Sequence, residues 1–513
     1  MRPCSLAWFA RHELRLAWRD GLFMMTAGGR RRLRGVVIGV VLFALFMHLV
    51  ALLMLGPYAP LGGAPDRTVL VFVTAGALLA ASAMLSQALE SVTRAFYARA
   101  DLDLILASPA ALRRLFAVRI GAMVLQVSLM AALLAAPFVD VLALKGGVRW
   151  LGAYGVVAAM GCASVALAVA LAAALFRLLG PRRTRLVAQV AAAVIGAAFV
   201  IGLQAAAILS YGSLSRFAVL RSQALSGRLP APESPFWWPA RAILGDPLAL
   251  AAVLGASLLL LGAAIVFLAP RFARYAVAAA SWAEGAPRRR RRRMGFRRGS
   301  PAQALRRKEW TLLRRDPWLL SQTLMQLLYL LPPGLLLWRS FADGAAVAVL
   351  VPVLIMAAGQ LAGGLAWLAI SGEDAPDLVA TAPVLAGRVL RAKTEAVMAG
   401  IAVVFLPFVA AMTLVSRRDA VVAALGIAAS AAAATAIQLW FRSQAKRSHF
   451  RRRQTSSRIA TFAEAFSSIG WAGTGALAAA GTWLWPIAGL VALSILAFAR
   501  LASPARLEQA TPL

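Results

Sequence analysis

Apolar stretches of about twenty residues return again and again along this chain, and they limit its fold more than any other feature. They fall near 36–55, 68–89, 120–142, 150–176, 186–211, 247–269, 318–338, 346–370, 394–415, 420–441, 459–480 and 482–500. A bilayer core is crossed by roughly 20 apolar residues per helix. The 513 residues are 61% hydrophobic and 14% charged, whereas a soluble domain is about half apolar and about a quarter charged. A soluble globule of this composition would expose large apolar patches and aggregate. Disorder is excluded because there is ample apolar surface to bury. A disulfide scaffold is excluded because Cys4 and Cys162 form no framework. The expectation is an all-α integral membrane protein of about 12 transmembrane helices. Gly481, Trp483 and Pro486 mark a very short connection between the last two stretches, which leaves open two full spans or a re-entrant hairpin.

Charge placement gives an orientation. The formal net charge is +34, from 54 Lys+Arg against 20 Asp+Glu. With the N-terminus placed in the cytoplasm, 44 of the 54 basic residues fall in inner segments. The positive-inside rule therefore favours this topology, with both termini cytoplasmic. The spread of arginines over every inner loop argues against a nucleic-acid recognition face, which would gather them in one place. The first apolar run begins at Val36 after a long basic segment and is too long for a signal h-region. Residues 1–35 are thus expected to remain as a cytoplasmic lead-in with an interfacial helix.

Two short motifs recur. Residues 12–20 read HELRLAWRD and residues 308–316 read KEWTLLRRD. Glu13 matches Glu309, Leu16 matches Leu312, Arg19 matches Arg315 and Asp20 matches Asp316, at an offset of 296. Residues 103–109 read DLILASP and residues 377–383 read DLVATAP. Asp103 matches Asp377, Pro109 matches Pro383, Arg114 matches Arg388 and Arg119 matches Lys393, at an offset of 274. In each half the first motif precedes the first span, and the second motif lies between the second and third. This predicts two parallel six-helix repeats, 36–270 and 318–500, related by an axis along the membrane normal. A linker, 271–317, joins them and carries the Arg288–Arg293 run and the second interfacial helix. Its arginines repel one another and suit a solvated segment near anionic headgroups. Residues 501–513 form a cytoplasmic tail.

As a helix, segment 5–25 places Arg11, Arg15 and Arg19 on one face, with Leu6, Ala10, Leu14 and Ala17 opposite. That pattern suits a helix lying in the inner interface, with Glu13 as a blemish near the apolar face. Either a plain positive anchor or a coupling element satisfies it. The loop holding Asp101, Asp103, Ser108 and Pro109, and its partner holding Glu373, Asp374, Asp377 and Pro383, place scarce acids on the cytoplasmic side. Such acids suit a short docking helix for a basic partner groove, or charge pairing within the loop.

Together, DLILASP, DLVATAP and EWTLLRRDPWLL resemble the permeases of class-2 ABC exporters, in the form with both halves fused in one chain. The resemblance covers nearly the whole chain in architecture. It implies that Asp101–Pro109 and Glu373–Pro383 are coupling helices seated in two copies of an ATP-binding subunit. It also implies that segment 212–246, with Pro235, Trp237, Trp238 and Pro239, carries small outer helices closing the exit. The second half departs from that pattern, since its outer connection near 481–486 is nearly absent. The resemblance further implies a bacterial inner-membrane location, lipids as neighbours, and alternating access for an unnamed cargo. A P-loop requires Gly-Lys before Ser/Thr, and none of the four lysines follows a glycine. ATP hydrolysis is therefore expected on the separate subunit. No cofactor, metal site or catalytic residue is expected on this chain.

Membrane-embedded chemistry is sparse. Asp140, near Pro137, is the most embedded acid; Glu395 and Glu464 stand near inner span ends; His48 lies in the first span. Headgroup contact is the expected role near span ends, although buried ionisable groups are functional hypotheses by default. Gln438 and other glutamines either line a path or bond between helices. An ion-coupled carrier of twelve helices is the alternative function, but it needs mid-membrane acids beyond Asp140. A membrane enzyme is disfavoured because His12, His48 and His449 form no spaced cluster.

Overall fold

The computed structural model describes residues 6–26, 33–55, 66–97, 112–211, 229–285, 300–315, 344–371, 383–441 and 458–501, with a few isolated positions between and after them. Among these residues every regular element is helical, and no strand occurs. Among the described residues, eight stretches are long and apolar enough to cross a membrane: Arg67–Thr93, Arg114–Gly146, Val148–Gly180, Leu186–Ser210, Pro247–Leu268, Val349–Ile370, Gly387–Thr413 and Arg417–Phe441. Each coincides with an expected span. Shorter apolar helices occupy Val40–Met54 and Trp485–Leu501. The stretch expected at 459–480 is a 22-residue helix, Arg458–Ala479, and falls outside those eight. The stretch expected at 318–338 lies mostly outside the described residues, as does the Arg288–Arg293 run.

The chain divides into two compact units, residues 1–207 with 213–288, and residues 208–212 with 289–513. The first contains α1 (Leu6–Thr26), α2 (Leu33–Leu55), α3 (Arg67–Tyr97), α4 (Leu112–Gly146), α5 (Gly152–Tyr211, as far as residue 207), α6 (Trp238–Ile243) and α7 (Pro247–Gly285). Its core joins Leu89 and Val92 of α3, Phe116 and Val127 of α4, and Val165, Val169 and Phe176 of α5. Their apolar positions recur at helical spacing, so each helix turns a continuous stripe inward. α5 is a hairpin of two arms. It breaks at Gly180, whose φ of 71° is open to glycine but costly for a side chain. That break separates the spans expected on either side of residues 177–185.

The aromatic-rich segment before α7 forms a cap on α3. A 3-10 turn, Pro235–Trp237, opens on Ser234 and leads into α6. Trp237 is buried against Leu70, Val71 and Ala240, and its indole N–H donates to the Ala231 carbonyl at 3.1 Å. Asp246 then caps α7, accepting from the backbone N–H of Leu248 at 3.0 Å and of Ala249 at 3.1 Å. These bonds satisfy two of the donors that a helix start leaves unpaired. They and the Arg241 guanidinium, 2.8 Å away, hold the Asp246 carboxyl below its ordinary range, with the backbone donation from Ala249 the largest cause.

The second unit contains α8 (Pro301–Arg315), α9 (Gly344–Ser371), α10 (Ala386–Thr413), α11 (Arg417–Phe441), α12 (Arg458–Ala479) and α13 (Trp485–Leu501). α9 is its central helix, packed by α10, α11 and α12 around Leu354, Ile355, Ala358, Ala362 and Trp367. Gly359 and Gly363 stand one turn apart on α9. A side chain at Gly359 would strike the hydroxyls of Ser430 and Ser468, and one at Gly363 would strike the Glu464 carboxylate. Glycine there lets three helices approach closely around polar groups, a membrane packing mode. Glu464 is buried and accepts from Gln438 Nε2 at 2.5 Å. Its position near a span end had suggested headgroup contact; instead Gln438 bonds it between helices α11 and α12.

Candidate functional site

α1 explains the apparent blemish at Glu13. Arg11, Arg15 and Arg19 are exposed, as are Leu14 and Trp18. Phe9 and Glu13, one helical turn apart, are buried together where α1 packs on α4. The polar and apolar stripes of α1 are thus both left outward, and the acid turns into the protein. Its partner is Arg119 on α4, only 1% exposed, whose Nε donates to Glu13 Oε1 at 3.1 Å. A guanidinium withdrawn from water needs such a partner, because desolvation of an unpaired charge costs several kcal/mol, roughly.

The second unit holds the matched pair. Glu309 on α8 is 0% exposed. Lys393 on α10 places Nζ 3.1 Å from Glu309 Oε1 and 3.2 Å from Oε2, and also donates to the Ala369 carbonyl at the end of α9. Lys308, more exposed, adds a second cation 3.3 Å from Oε1. A further tie lies outside this core. Glu395 accepts from Arg306 Nε at 2.5 Å and from Arg391 Nε at 2.9 Å. Glu395 thus binds arginines of α8 and of its own helix, and its carboxylate pushes the Arg306 guanidinium above its ordinary value.

Each buried base stands ten residues beyond the loop proline that the sequence singled out, Arg119 beyond Pro109 and Lys393 beyond Pro383. The clamps therefore tie each amphipathic helix to the start of the long helix that follows each acid-bearing loop. Arg119 and Lys393 were matched by sequence but not placed in a site; their recurrence in register with Glu13 and Glu309 was the available signal. Asp101, Asp103, Ser108, Pro109, Glu373, Asp374, Asp377 and Asp316 lie outside the described residues. Pro383 is exposed at the bend before α10. Asp20 and Arg315 lie on α1 and α8, their side chains outside the described set.

A second polar cluster sits near the other end of α4. Asp140 lies 21 residues beyond Arg119, or about 30 Å along a helix. Its Oδ1 accepts from the Tyr154 hydroxyl at 2.6 Å, and its Oδ2 is 3.4 Å from His48 Nε2. Sequence reading noted His48 and Asp140 separately; the fold brings them together and adds Tyr154. Among the described residues, no three His, Cys, Asp or Glu side chains gather as a metal site would require.

Comparison with known protein families, curated proteins and solved structures returns no match.

Proposed function

We propose that the chain is the membrane-spanning permease subunit of an ATP-driven exporter of the ABC type. In this reading its twelve helices form two parallel six-helix halves in a bacterial inner membrane, with both termini cytoplasmic. One observation carries the reading: the acid–base clamp between amphipathic helix and long helix occurs in both units, at positions that the two sequence motifs align. A chain written twice, with the same anchored interfacial helix beside the same acid-bearing loop, suits two equivalent partner subunits that act on it together. Closure of two ATP-binding subunits would draw the loops at 101–109 and 373–383 together. The clamps would move each interfacial helix with the helix it grips, and the halves would rock to alternate access. ATP and its hydrolysis belong to the partner subunits, and lipids surround the spans.

The alternative, an ion-coupled carrier of twelve helices, draws on the His48–Asp140 contact alone. The exporter reading is tested with Asp103→Arg and Asp377→Arg together. The expected result is loss of the ATP-binding subunit on co-purification and loss of ATP-dependent transport in vesicles. Retention of both would overturn the coupling assignment. Transport driven by a proton gradient without ATP would favour the carrier.

A further inference from the structure

We infer that His48, Asp140 and Tyr154 form a proton-binding site between α2, α4 and α5. The inference goes beyond the exporter reading and does not rest on it.

The hydrogen-bond pattern fixes where hydrogens must be. His48 Nδ1 lies 2.7 Å from the Ala44 carbonyl oxygen. A carbonyl only accepts, so Nδ1 carries a hydrogen. Nε2 faces Asp140 Oδ2 at 3.4 Å. A bare Nε2 and a carboxylate oxygen both present lone pairs, so the contact is attractive only with a proton between them. The Tyr154 hydroxyl donates to Oδ1 at 2.6 Å, which occupies that oxygen and leaves Oδ2 to face the imidazole. The geometry therefore places a proton on Nε2 facing Oδ2, while the phenol holds the other oxygen of the carboxyl group. When the proton leaves, it leaves a neutral imidazole with its Nδ1 hydrogen in place and a carboxylate still held by Tyr154. No other bond changes.

The surroundings offer little to replace that proton. The other charged residue of α2 is Arg34, fourteen residues before His48. On α4 the nearest charge is Lys145, which lines the same cleft. Arg149, in the turn before α5, stacks over the Trp150 ring at 5.8 Å, and Arg241 and Asp246 pair with each other. α7, which also packs on α4, carries no charge between Asp246 and Arg271. The cleft holds about 370 Å³ and takes His48, Leu49 and Leu52 from α2 and Val141, Leu144 and Lys145 from α4. Its four aliphatic side chains offer no hydrogen bond, so the His48–Asp140 contact is the polar tie across it. The side chains of His48 and Asp140 are 37% and 41% exposed, and an ionisable pair on such apolar helices is a default candidate for function.

The test uses the full chain in lipid nanodiscs. It has three histidines, so His12→Gln with His449→Gln leaves His48 as the one ring for nitrogen-15 NMR. At neutral pH both ring nitrogens are expected to carry hydrogen. Raising the pH should remove one proton, from Nε2, while Nδ1 keeps its own. Asp140→Asn should leave Nε2 bare at neutral pH, and Tyr154→Phe should move the titration less than Asp140→Asn does. If His48 carries a single hydrogen at neutral pH in the otherwise native chain, the inference is wrong. It is equally wrong if neither Asp140→Asn nor Tyr154→Phe alters the titration. The first reading needs neither variant, so a substitution that fails to fold does not blunt the test.

Discussion

In the first unit a guanidinium meets Glu13 with both groups almost out of water. In the second an ammonium meets Glu309, and a main-chain carbonyl and a second lysine share the cation and the acid. The charge relation is kept while the chemistry around it differs. Arginine presents a planar fork of five donors, whereas the compact ammonium of lysine has three. Lys393 uses them on Glu309 and on the Ala369 carbonyl, so α8, α9 and α10 meet at one nitrogen. The exposed Arg306–Glu395–Arg391 group has no counterpart in the first unit, where the aligned positions are Ala10, Gly121 and Ala117. What recurs in both units is the buried pair. What differs is peripheral, and this separates the part of the clamp tied to a shared role from local reinforcement.

The largest expected effect comes from breaking the first clamp. Arg119→Met should cost about 3–5 kcal/mol of stability, because it leaves Glu13 buried without its guanidinium. Denaturant unfolding in detergent measures this. Adding Glu13→Leu to Arg119→Met should recover most of the loss, since an apolar pair of similar volume replaces a buried ion pair nearly neutrally. Lys393→Met should cost less than Arg119→Met, because Lys308 remains 3.3 Å from Glu309. Equal losses would mean that Lys308 contributes nothing to the second clamp.

Smaller effects sharpen the contrast. Glu395→Gln should leave the unfolding midpoint unchanged in moderate salt, as exposed ion pairs contribute little. A shift as large as that of Lys393→Met would make the outer tie part of the clamp. Asp246 is held below its ordinary value by the backbone donors and Arg241. Its stabilisation is thus present above the ordinary carboxylate range and fades as pH falls through its lowered value. Asp246→Asn should flatten the pH dependence of unfolding in that acid window, and an unchanged profile would show that the α7 cap is not strained by acid.

Much of the fold was legible because apolar runs and their lengths report spans directly. The eight long apolar helices coincide with expected runs, and Gly180 breaks the α5 hairpin between two of them. The clamps were half legible. Motif alignment matched Glu13 with Glu309 and Arg119 with Lys393, but helix periodicity alone made Glu13 look misplaced. Only the packing of α1 on α4, 106 residues apart in sequence, turns that blemish into a contact. The same limit hid His48 and Asp140, separated by 92 residues. It also hid Glu464, whose hydrogen bond to Gln438 depends on how α9, α11 and α12 meet at Gly359 and Gly363. Periodicity says which face of a helix is apolar; it says nothing about which distant face a lone acid will find.

The central claim is that this chain works with two ATP-binding subunits. Native mass spectrometry of the chain, drawn from its own membranes in lipid discs, tests that most directly. The account predicts one 54.2 kDa chain with two identical ATP-binding subunits, released when Asp103 and Asp377 are both replaced by arginine. A chain that travels alone, or a complex that survives those replacements, would contradict it.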